Sequence, residues 1–165
     1  MKLERTKMSD SIAWSDGITG KMKGMILMNK RIIIIEGIIQ AFIGIGAVIY
    51  GLLIIIDPSG GRANMPLELL ADSPFASYLI PGVILFLVNG IGHVSSAVLS
   101  FTMNRYAGHT GILFGLALIV WIVVQVLLIG YANFLQPFYL ILGIFELIFG
   151  ISMYRQISGL QSNYR

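Results

Sequence analysis

Six polar side chains in an otherwise oily chain are placed to do chemistry: Glu146, His93, Gln40, Asn89, Gln125 and Glu36. Counting from the basic edge of each apolar run, the helical rise puts Gln40 and Glu146 roughly 13 Å deep and His93 roughly 15 Å deep, near the middle of a ~30 Å hydrocarbon layer. A carboxyl, an imidazole and an amide from three helices therefore share one level. Asn89 and Gln125 make a second layer roughly 7 Å further out. Glu36 falls near the boundary, within reach of Lys30, Arg31 or Arg155.

A lipid-facing carboxylate at midplane costs about 2.5–3.5 kcal/mol or more, so these faces should turn inward. Glu146 then meets His93 or Gln40, or holds its proton. Two readings follow: a proton- or cation-handling relay, and hydrogen-bonded glue that fixes helix register. Against the first, the midplane layer has one acid and no basic counter-ion. With no cysteine in the chain, disulfides, thiolate metal sites and cysteine nucleophiles are excluded. His93 has no second intramembrane histidine beside it, since His109 lies in a connection, so neither a metal site nor paired haem ligands are predicted and no cofactor is implied. Ser95, Ser96 and Ser100 share the His93 helix without any nucleophile elbow, and are expected to bond back to their own helix.

The elements that must hold these residues are membrane helices. Hydrophobic residues make up 56% of the 165 and charged ones 12%, with mean hydropathy +0.84, whereas a soluble domain carries about a quarter charged residues. Such a chain has room for about four spans of about 20 residues, read here at 32–56, 77–103, 111–129 and 134–154. The predicted fold is all-α, an antiparallel transmembrane four-helix bundle at 32–154. A polar, interfacial segment precedes it (1–31) and a cytoplasmic tail follows (155–165). Ser73-Pro74 reads as the cap of the second span, with Pro81 bending its outer turn. Asn64 reads as the cap of a short helix that lays Leu67, Leu69 and Leu70 on the membrane surface.

Of the 11 lysines and arginines, only Arg62 falls between spans one and two. The rest lie on the opposite side, which puts both termini in the cytoplasm and explains the pI of about 9.3 without nucleic acid. Trp121 sits in mid-span, where it fills core space or stacks on a ligand.

Lipid supplies no hydrophobic drive between helices, so small residues must let them approach. Gly37, Gly44 and Gly51 recur every seven residues, Gly92 precedes Ser96 and Ser100 at intervals of four, Gly111 and Gly115 are four apart, and Gly143 and Gly150 seven apart. These faces allow packing within one copy, a homo-oligomer or a larger membrane complex. The segments GIIQAFIG and GIFELIFG, at 37–44 and 143–150, share both glycines and a polar fourth place, which shared packing demands explain.

The run MPLELLADSPFASYLIPGVILFLVNGIG, with WIVVQVLLIG and LQPFYLILGIFELIFG, resembles a group of small bacterial four-span membrane proteins with no assigned activity. The resemblance covers about 32–154 and implies a multi-pass protein of the bacterial inner membrane, in contact with membrane lipid. The leading expectation is a non-enzymatic accessory or interaction subunit. The alternatives are a small proton- or cation-coupled transporter or channel built on the midplane cluster and, more remotely, a lipid- or quinone-linked membrane enzyme.

Overall fold

The computed structural model describes residues 30–71 and 73–162, with side chains as far as Arg155. The segment before residue 30 and the side chains of the tail lie outside the described residues. The chain divides into two units, Met1–Ile32 and Ile33–Arg165, and the second holds the bundle. It is all-helical, with no strand among the described residues. Four helices are long and apolar enough to cross a membrane: α1 (Lys30–Ile56), α2 (Leu79–Phe101), α3 (Ala107–Ile129) and α4, which spans with Leu135–Arg155 and continues to Ser162. In hydrocarbon a backbone amide has no water to bond, so long runs of isoleucine, valine and leucine close their hydrogen bonds within a helix in spite of β-branching.

Glycine sets the pairing. A Cβ on Gly37 would meet the Phe101 ring, one on Gly44 Val94, and one on Gly51 Phe86. Numbers rise along α1 as they fall along α2, so the two are antiparallel. The same holds for α3 and α4: Gly108 faces Tyr154 and Gly150, Gly115 faces Leu147, and Gly143 faces Ile119. Gly92 makes room for the Phe114 ring and so joins the two hairpins. The recurrent glycines are thus spent inside one copy, and any self-association must use the outward faces, where residues such as Ile38, Leu113, Leu127 and Ile148 are exposed.

The connections are short and capped. At the end of α2 the Thr102 hydroxyl bonds back to Val98 O at 2.8 Å, and Asn104 Oδ1 accepts the Tyr106 amide at 3.0 Å to begin α3. Gly130, with φ 68, ends α3; Gln136 then ties the turn by donating to Gly130 O and accepting from the Ala132 amide.

The loop between α1 and α2 departs from expectation. Asn64 adopts a left-handed conformation and closes the turn Gly61–Ala63, while Pro66 opens Leu67–Leu70. Leu70 is buried with Ile54 and Tyr78 under Ala63, Met65, Phe75, Leu85 and Ile129, so this loop folds onto the bundle end. Ser73 bonds Leu70 O instead of capping α2. Pro81 falls in the first turn of α2, where a missing amide is tolerated. The irregularity of α2 lies further in, at a π-helical stretch Leu85–Gly92.

Candidate functional site

One face of α2 carries Asn89, His93, Ser96 and Ser100, spaced four, three and four residues apart, and all are at most 1% exposed. That spacing returns each side chain to the same stripe of a helix. One face of α1 carries Glu36 and Gln40, both fully buried, and α4 brings Glu146, also fully buried. Helix α3 contributes closeness instead of polar groups. A Cβ on Gly111 would lie 2.6 Å from Glu36 Oε1, and one on Gly115 3.0 Å from Glu146 Cβ. Both acids therefore lean on adjacent turns of one glycine face.

Two hydrogen-bonded groups result. His93 Nε2 lies 3.1 Å from Glu146 Oε2, joining α2 to α4 in the core. Gln40 Nε2 donates to Glu36 Oε1 at 3.1 Å, and the Ser100 hydroxyl donates to Gln40 Oε1 at 2.9 Å, joining α1 to α2. The Phe114 ring packs on His93 with centroids 5.4 Å apart. Among the described residues, six buried side-chain atoms keep no protein partner: Glu36 Oε2, Glu146 Oε1, His93 Nδ1, Ser96 Oγ and both polar atoms of Asn89. Native interiors leave few such atoms, and a group of them on one seam calls for a physical role.

Three sequence expectations change. Glu36 is part of the buried seam and takes its hydrogen bond from Gln40, because Gly111 opens space for it; the acid at position 146 is therefore not alone. Ser100 bonds across to α1, and Ser96 has no partner, where bonds back to α2 were expected. Gln125 is only half-buried and stays outside the hydrogen-bonded group. Trp121 packs on the cluster of Ile43, Leu118 and Ile122 and so fills core space. The π-helical stretch, of a kind frequent at functional sites, contains Asn89 and ends just before His93; only its glycines hinted at it.

Among the described residues no three His, Cys, Asp or Glu side chains are grouped to hold a metal ion. His109 is apart from the seam, exposed between the Tyr106 and Tyr154 rings, with Arg105 4.6 Å over Tyr106. Compared with protein-family models, curated proteins and solved structures, the chain matches none of them.

Proposed function

We propose that this multi-pass membrane protein is a small proton-coupled transport protein, not an enzyme, with Glu146 and Glu36 as the proton-exchanging groups and His93 as the partner that holds Glu146. The observation that carries this reading is the presence of two fully buried carboxyls, one of them 3.1 Å from an imidazole, inside a bundle surrounded by lipid. Buried ionisable groups at membrane depth are expensive, and a purely structural contact between helices needs neither a second acid nor unpartnered oxygens. A carboxyl and an imidazole exchange one proton with little rearrangement. The bias of basic residues supports cytoplasmic termini, and the bacterial resemblance supports the inner membrane.

The test is reconstitution in liposomes with an interior pH dye and an imposed potential. Proton flux through the parent protein, abolished in a folded Glu146→Gln variant and reduced in Glu36→Gln, is the expected result. A folded parent with no flux would return the protein to the class of accessory subunits, and cross-linking in native membranes would then be the way to find its partner.

A further inference from the structure

The seam is not symmetric across the bundle. Ser100 stands one residue from the end of α2, and from it Ser96, His93 and Asn89 follow at intervals of about one turn. The hydrogen-bonded series Ser100, Gln40 and Glu36 occupies that same end, the end that carries the 102–106 connection. Beyond Asn89 the character changes. Level with His93 and further out, Ile43, Leu118 and Ile122 pack with Trp121, Tyr139, Leu140 and Leu142, and past them the loop from α1 to α2 lays Leu70 and Tyr78 on Ile54, Leu85 and Ile129. That loop is tied down by Tyr78, whose hydroxyl donates to Pro66 O at 2.8 Å and whose amide donates to Pro58 O at 2.9 Å. Polar groups therefore run in from one face as far as Asn89, and apolar packing separates them from the other.

Resting on the proton-coupled reading above, we infer that the buried acids exchange a hydrated proton faster with the side of the 102–106 connection than with the other, by way of Gln40, Ser100 and Ser96. From the helix ends Glu36 comes first, the Gln40 amide and Ser100 hydroxyl follow about one turn deeper, and the unpartnered Ser96 hydroxyl and Glu146 Oε1 lie further in toward the His93 pair. A hydronium ion needs such closely spaced acceptors to shed its hydration in the core, whereas the isoleucine and leucine packing offers none. The titratable groups facing Glu146 are His93 from α2 and Glu36 from α1, while α3 presents glycine and Phe114. The step is a proton transfer alone: a proton leaves hydronium, water returns to that side, and the seam gains one positive charge.

The experiment uses the full chain in liposomes with the protein in one orientation. A rapid pH jump is applied to one compartment at a time, and the carboxyl infrared band that vanishes in Glu146→Gln is followed in time. The expected response is at least about tenfold faster from the 102–106 side than from the 57–78 side, equivalent to about 1.4 kcal/mol in barrier. In Ser100→Ala the fast response should slow while the band position stays put. An equal or faster response from the 57–78 side overturns the sidedness and leaves proton coupling standing. An unchanged rate in Ser100→Ala overturns the proposed entry. A band that answers neither jump overturns the proton-coupled reading itself, and the sidedness with it.

Discussion

Replacing Gly150 by alanine should pry apart the second hairpin. The added Cβ would lie 2.5 Å from Ile112 N, 2.8 Å from Gly111 C and 3.1 Å from Gly108 O. All three are backbone atoms of α3, so no side chain can rotate away and the two helices must separate. Overpacking of this kind costs typically about 1–3 kcal/mol, and the gain in helix propensity returns at most about 1 kcal/mol. Gly46→Ala is the control, because its Cβ would meet only the Tyr139 hydroxyl at 3.3 Å, and the same propensity gain should leave it neutral or slightly stabilised. Reversible unfolding in mixed micelles, followed by loss of helicity, measures both. Net destabilisation of Gly150→Ala by about 1–3 kcal/mol against Gly46→Ala is expected, because the propensity gain is common to both. Equal stability of the two variants would refute the close approach of α3 and α4.

Other outcomes follow from the same contacts. Ser100→Ala strands the buried Gln40 oxygen and should destabilise by about 1–3 kcal/mol, while Ser96→Ala removes a hydroxyl with no partner and should be neutral or stabilising; the same unfolding titration separates them. Tyr78→Phe loses the bond to Pro66 O and should cost about 1 kcal/mol, read as faster proteolysis within 57–78. In that loop, the Ser59 hydroxyl and then the Arg62 amide bond the Asp57 carboxyl and hold it below the usual carboxylate range. A lowered folded value means that this support is complete at neutral pH and is lost as pH falls through it. Amide exchange at Arg62, corrected for intrinsic rate, should therefore lose protection in acid, and Asp57→Asn should show weak protection with no such pH dependence.

Much of the bundle was legible because lipid leaves so few options: long apolar runs must be helices, and their number and order follow from hydropathy. Ends were less legible. The third helix begins at Ala107, not 111, with a polar first turn that hydropathy discounts, after a turn in which Asn104 Oδ1 accepts the Tyr106 amide. Depth arithmetic placed His93 level with Glu146, and the structure joins them. Depth carries no azimuth, however, and α3 is apolar nearly all round, so nothing in its pattern said which way Gln125 would face. Glu36 looked peripheral because it follows Lys30 and Arg31 closely; what draws it inward is a glycine on a distant helix, Gly111, which only the packed pair reveals.

The account stands on the contact between the imidazole of α2 and the carboxyl of α4, and a double-mutant cycle on folding free energy tests it most directly. His93→Ala, Glu146→Ala and the double variant should show a coupling of about 0.5–3 kcal/mol, because each single change strands a polar partner that the double change removes. Additive effects, within about 0.3–0.5 kcal/mol, would contradict the buried pair.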